Sequence, residues 1–398
     1  MRKVVFVLML CILGLVGPFS AQAEQTESNV AREHQFKFGK KTPFSIPDEA
    51  TRFAFQSGYT FDYPEDGVRG IYVTGNTAGG QRFQTLLDLI NSSELNSMVI
   101  DIKDDHGYLT YLPEESSQFK DVSKNYITDP NQLMKTLEEN QVYPIARIVV
   151  FKDSVLANKR PELSFKENGD VWKNNRGEAF VNPFLKEVWD YNIQIAEKAA
   201  KLGFKEIQFD YVRFPEGFER RDEMLEYEVG TYKDGENNVE RRVAAVSDFV
   251  AYAKEQLAPY GVDVSVDIFG YAATIEEAPG IGQNFAKISS HVDVISSMIY
   301  PSHWTPYFGI DKPDLYPYEL TKAYAEVENK VLNNIENRPT SRPWIQDFTA
   351  TWLGTGNYKQ YGKKEVEAQI KALQEEGINE FLLWNASNQY TEGVNYKP

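Results

Sequence analysis

Cysteine is nearly absent from this 398-residue chain. Its single copy, Cys11, sits in an apolar run from Val4 to Val16, preceded by Arg2 and Lys3 and followed by Ala21-Gln22-Ala23. A positive start, a short apolar core and a small-x-small end read as an export signal over residues 1–23. The run is too short to span a bilayer comfortably. Leu8-Met9-Leu10 lack the small residue expected before a lipid-modified cysteine. Cleavage before Glu24 removes the only thiol, which excludes a disulfide framework, a cysteine nucleophile and a cysteine-ligated metal. Stability must then come from a large core. The expected product is secreted or associated with the cell surface, with no stable membrane anchor.

Basic residues are also in short supply. There are 42 Lys+Arg against 58 Asp+Glu, a net charge of −16. The leader carries two of the cations and no acid, so its loss leaves the chain at −18. Such a field repels nucleic acid and anionic lipid. Histidine is limited to His34, His106, His291 and His303, and none belongs to a His-Glu-x-x-His helix. No Gly-x-Ser-x-Gly elbow occurs. The stretch Gly356 to Lys364 spaces its glycines wrongly for a phosphate loop. No cofactor is implied. Aromatics, by contrast, are plentiful: 23 Tyr and 6 Trp within a 13% share. Their flat faces suit sugar rings as well as cores.

Residues 24–66 are polar, carry scattered Pro and Gly, and show no sustained period, as expected of a linker or loosely packed lead-in. From residue 67 to 398 short β-rich runs alternate with helical patterns. Strands are expected at 70–74, 97–102, 142–150, 206–212, 262–268, 292–300, 343–349 and 380–385. Helices are expected at about 82–90, 130–139, 186–202, 240–258, 282–289, 317–333 and 364–376, with the eighth short or missing. Eight strand–helix units imply parallel strands and right-handed crossovers. The fold class is therefore α/β, a single-domain (β/α)8 barrel. No Gly-rich fingerprint follows the first strand, which argues against an open doubly wound sheet.

In such a barrel the active site lies at the C-terminal ends of the strands, and side-chain alternation decides which residues face inward. On the fourth strand Ile207, Phe209 and Tyr211 suit the helix layer, leaving Gln208 and Asp210 inward, with Arg213 just beyond. On the fifth, Val264, Val266 and Ile268 oppose Ser265 and Asp267. Two carboxyls ending adjacent strands form the pattern of an acid paired with a nucleophile or base. Asp101 and Lys103 share a face at the end of the second strand and are expected inward. Arg147 on the third strand can hold a carboxylate ionised. Tyr300, Gln346 and Trp384 end the last three strands, as hydroxyl-binding or sugar-stacking groups or as barrel filling. Asp347 has the opposite parity to Gln346, and a bulge would exchange them. Asp101, Asp104, Asp105 and His106 lack the rhythm of a calcium loop.

The segments RGIYVTGNTAG (69–79), NSMVIDIKDDHGYLT (96–110) and EIQFDYVRFP (206–215), together with 263–271, 294–304 and 342–348, resemble a family of glycoside-hydrolase-type domains. That family was once catalogued as of unknown function and is common in secreted proteins of Bacillus-like bacteria. The resemblance covers about residues 68–390 and implies a distant kinship with α-amylase-type barrels. It implies Asp210 as nucleophile and Asp267 as general acid, although an Asp stands where those enzymes usually carry Glu. A third amylase-type Asp would fall near Asp347. The leading expectation is a secreted glycosidase acting on an oligo- or polysaccharide. The alternatives are a non-catalytic glycan-binding barrel of the cell wall or matrix, and a metal-dependent carbohydrate hydrolase or deacetylase using Asp101, Asp105 and His106.

Overall fold

The computed structural model describes residues 55–235 and 237–397. The expected export signal, and the lead-in as far as residue 54, lie outside the described residues. Eight strands build the sheet: β1 (Arg69–Val73), β2 (Ser97–Lys103), β3 (Tyr143–Val149), β4 (Glu206–Asp210), β5 (Asp263–Phe269), β6 (Val294–Met298), β7 (Thr340–Ser341 and Trp344–Gln346) and β8 (Phe381–Trp384). Every neighbouring pair is parallel, and β8 returns to β1, so the sheet closes into a (β/α)8 barrel.

Among the described residues, one helix precedes each next strand of the barrel, α1 (Arg82–Asn91), α2 (Pro130–Glu139), α3 (Lys186–Leu202), α4 (Asn238–Leu257), α5 (Phe285–Ser289), α6 (Pro317–Leu332) and α7 (Lys363–Glu375), and two further short helices, Gly75–Ala78 and Ser154–Lys159, lie in the loops after β1 and β3. Their ends follow local chemistry. Asp129 caps α2 by accepting from the Gln132 amide, with Pro130 in the first turn. Asn237 caps α4 through two amides. α3 stops at Gly203, whose φ of 116° suits a residue without Cβ. After β8 a non-helical tail follows in place of an eighth helix.

The apolar face of each strand meets the helices. Ile71, Ile100, Ile148, Phe209 and Val266 pack with Leu86, Leu137, Ile195, Val246 and Leu373 in one outer core. A second cluster fills the barrel itself: Tyr72, Val99, Tyr143, Ile145, Tyr300, Trp344 and Leu382. At the N-terminal end of the strands Arg342 is fully buried and donates to Glu206 at 2.7 Å, to Glu380 at 2.8 Å and to the Tyr63 hydroxyl at 3.2 Å. Buried charges of this kind persist only when paired. Tyr63 belongs to the expected loose lead-in, yet residues 55–66 are docked on the barrel. The Thr60 amide donates to Glu138, Lys205 donates to the Tyr59 carbonyl, and Phe61 packs on the outer core.

Candidate active site

The C-terminal mouth of the barrel is organised around Arg147, which points inward from β3. Parity delivers it there, because β3 alternates between Ala146 and Ile148 in the outer core and Ile145 in the inner one. Its Nη1 donates to Asp101 at 2.7 Å, its Nη2 to Asp105 at 3.0 Å, and its Nε and Nη2 to Asp210 Oδ2 at 3.0 and 2.5 Å. The guanidinium thus binds three carboxylates and is itself 1% exposed. The face of the guanidinium lies 5.3 Å from the Tyr72 ring and 5.6 Å from that of Trp384. The Tyr72 hydroxyl donates to the second oxygen of Asp101 at 2.6 Å.

Asp210 ends β4 and is 5% exposed. Its other oxygen accepts from the Tyr211 amide at 2.6 Å. That bond requires a turn: Tyr211 adopts φ 53°, a left-handed conformation costing a bulky residue on the order of 1–3 kcal/mol. The strand therefore ends at Asp210 rather than at residue 212. The Tyr211 ring is held by Lys152, whose Nζ lies 3.9 Å from its centroid.

Asp267 lies on β5, which pairs in register with β4 through Gln208–Ser265 and Phe209–Val266. The next step of that register sets Asp210 and Asp267 side by side on one face, with strands about 4.8 Å apart. Asp267 Oδ1 accepts from the Trp344 indole at 2.7 Å. Burial, and then the neighbouring charge of Asp210, push the Asp267 carboxyl well above the usual carboxylate range, while Arg147 and the indole pull it only partly back. Burial likewise raises Asp101 to about 6. Burial also opposes charge on Asp105, but Arg147 and Lys152 outweigh it and hold that carboxyl down at about 2. The mouth thus juxtaposes Asp210, bonded to a guanidinium, and Asp267, whose burial disfavours its charged form, an arrangement suited to acid–base work.

Other expected residues fall elsewhere. Lys103 does not share the inward face with Asp101. The register between β2 and β3 shifts between these two residues, and the bulge turns Lys103 to the helix layer. There it bonds Asp153 at 2.6 Å and Asn192 at 2.8 Å. Arg213 does not pair with Asp210. It donates to Glu216 at 3.2 Å and packs over the rings of Tyr211 and Phe269. Gln346 is fully buried and spent on the loops: it accepts from the Ser302 amide and hydroxyl and donates to Asp314 and the Phe348 carbonyl. Asp347 faces away from the pair and binds the Thr391 amide and hydroxyl. No bulge exchanges it with Gln346. Gln208 sits one layer below Asp210, 3.3 Å from Ser296 Oγ. Tyr300 and Trp384 do line the mouth, their ring centroids 6.2 Å apart, and Trp384 stacks on Tyr72 at 4.2 Å. Asp101 and Asp105, which a metal reading requires, both turn onto Arg147, and His106 is exposed.

Sequence reasoning missed Tyr72, Trp344 and Lys152. Trp344 shares inward parity with Gln346, a usable signal. Asp105 was expected on the loop, or as a ligand in the metal-dependent alternative, and not as a partner of Arg147. A groove of about 870 Å³ lies away from the mouth, between α1 and the tail after β8, and none of the candidate residues lines it.

A closed parallel barrel with clustered acids at its C-terminal mouth defines the class of the (β/α)8 enzymes. Residues 70–390 match the family described as "Putative glycosyl hydrolase domain", and the chain belongs to that family. Among solved structures, a hypothetical protein from Ruminiclostridium thermocellum ATCC 27405 is 36% identical, with 50% of this chain and 96% of that one covered and a TM-score of 0.43. The glycoside hydrolase domain of PgaB (BpsB) from Bordetella bronchiseptica is 14% identical, with 80% and 94% covered and a TM-score of 0.55, a likeness of fold. The spore cortex-lytic enzyme SleL of Bacillus megaterium QM B1551 is 13% identical, with 81% and 71% covered and a TM-score of 0.46. No curated protein matches the chain.

Proposed function

We propose that this chain is an exported glycoside hydrolase that cleaves a glycosidic bond in an oligo- or polysaccharide, with Asp210 and Asp267 as its working pair. One observation carries the reading: two buried carboxyls lie at the mouth on adjacent, in-register strands in contrasting surroundings, Asp210 on Arg147 and Asp267 on the Trp344 indole. Asp267 protonates the leaving oxygen, for which its raised pKa suits it. Asp210 attacks the anomeric carbon or stabilises the oxocarbenium-like state. Arg147 positions Asp210, and Tyr72 with Asp101 positions Arg147. Placement on neighbouring strands favours the short carboxyl separation, about 5–5.5 Å, of retaining enzymes.

The test is release of reducing sugar from a polysaccharide panel, followed by product analysis. Asp267→Asn and Asp210→Asn each lower kcat at least about a hundredfold on the substrate found. Variants as fast as wild type would remove both residues from the mechanism. Retarded migration in glycan gels without hydrolysis by wild type would favour the glycan-binding barrel instead. Export is checked by N-terminal sequencing of protein from the culture medium, which should begin at Glu24. A first residue of Met1 there would refute cleavage.

A further inference from the structure

Trp352 is the most exposed large hydrophobic residue described, at 63%. It sits in a single helical turn, Thr351–Leu353, beyond β7. An exposed indole on a mobile loop would mean little, but this one is held. Its ring stacks on Phe348 at 5.8 Å with planes 23° apart, and His303 meets it edge-on at 6.2 Å. Phe348 lies 6.1 Å from Tyr300, which lies 5.2 Å from His303 and 6.2 Å from Trp384 at the mouth. A continuous aromatic path thus leads from the floor of the candidate site to the rim.

The backbone beneath the path is locked by buried polar bonds. Gln346 joins the loop after β6 to the loop after β7, accepting from Ser302 at 2.8 Å and donating to Asp314 and Phe348 O, both at 3.0 Å. Asp314 in turn accepts from the Lys359 amide at 2.9 Å, and Lys312 donates to the Gly356 carbonyl at 2.9 Å. This explains why Gln346 is consumed structurally. It fixes two loops so that Phe348, His303 and Trp352 keep one arrangement, as a binding site on loops requires.

We propose that Trp352 is a sugar-stacking platform forming a distal subsite, so that the substrate is a glycan chain several rings long rather than a single terminal sugar. This rests on the glycosidase reading above. Stacking needs a rigid flat ring with one face free. Phe348 backs one side of the indole, and the centroid steps of 6.1 and 5.8 Å are each comparable with one sugar ring of a chain. A glycan cleaved at the Asp210–Asp267 pair would pass Tyr300 and lay a later ring on Trp352.

The experiment compares disaccharide and hexasaccharide members of the β-1,4-glucan, α-1,4-glucan and N-acetylglucosamine series, using the full chain and its Trp352→Ala and Trp352→Phe variants. For the series that is cleaved, Trp352→Ala lowers the hexasaccharide-to-disaccharide ratio of kcat/KM roughly three- to tenfold, mostly through KM, and Trp352→Phe recovers much of it. An unchanged ratio overturns the platform and leaves the hydrolase reading intact. A second readout needs no turnover: retardation in gels carrying the corresponding soluble polysaccharides, in the Asp210→Asn background. Retardation lost on adding Trp352→Ala supports the platform even if wild type cleaves nothing, an outcome that would sink only the hydrolase reading. Equal retardation with and without the indole, or none on any glycan, overturns the platform.

Discussion

Arg147 shows what one side chain contributes to this mouth. Its three carboxylate partners come from β2, the loop after it, and β4, and all but Asp105 are nearly inaccessible to water. Removing the cation leaves Asp101 and Asp210 as buried charges without a counter-ion. Arg147→Met is therefore expected to cost about 3–5 kcal/mol in urea unfolding, and a loss under about 1 kcal/mol, the scale of a surface pair, would show that water or protonation replaces the guanidinium. At this scale the sequence was readable where parity alone decides. Asp101, Arg147, Asp210 and Asp267 face inward as alternation requires. It was not readable where contacts join residues far apart in the chain: nothing local to Asp267 announces Trp344, 77 positions on. Lys103 failed for a different reason. A bulge changes the count of residues along β2, and period-two reasoning cannot see an insertion in the ladder.

The elements themselves were legible to within a few residues from their periodicity, and some of their ends carry chemistry that can be read locally. Asp129-Pro130 opens α2, Asn237 opens α4 and Gly203 closes α3. What local pattern did not disclose is how the barrel is sealed where the eighth helix is lacking. The tail after β8 does this with Asn388, which adopts φ 53°. Its amide nitrogen donates to the Tyr72 and Asn385 carbonyls at 2.9 and 3.2 Å, and its oxygen accepts from the Thr74 amide at 3.0 Å. Tyr390 adds a hydroxyl bond to the same Tyr72 carbonyl at 2.5 Å. Asn388→Ala leaves these backbone groups short of partners and forces Ala into a left-handed conformation. We expect it to lower stability by about 1–3 kcal/mol, read from the shift of the urea midpoint. Asn388→Gly, which relieves only the backbone strain, should recover a minor part. Full recovery by Gly would mean that the tail bonds contribute nothing to the seam.

Over the whole molecule, the most general consequence of this architecture is its response to pH. The barrel and its helix contacts bury many acids, and burial raises Asp101, Asp153, Glu206, Asp267, Glu328 and Asp347 above their ordinary values. Asp105 moves the other way, to about 2. The sign follows from proton counting. Between the usual 3.8 and about 6, folded Asp101 holds a proton that the unfolded chain has released, so stability falls as pH rises across that window. The other raised carboxyls act in the same direction. Asp105 adds stability as pH rises from about 2 to its unfolded value, and that contribution stays constant beyond it. A net charge of −16 at neutral pH strengthens the trend, since self-repulsion grows as the last carboxyls ionise. Thermal unfolding across a pH series should therefore show its maximum on the acidic side, at about pH 4–5. A Tm still rising between pH 6 and 8 would contradict the burial assigned to these groups. On the reading of Asp267 as general acid, activity fails in the same alkaline direction, because the proton that the acid donates is one of those whose release weakens the fold.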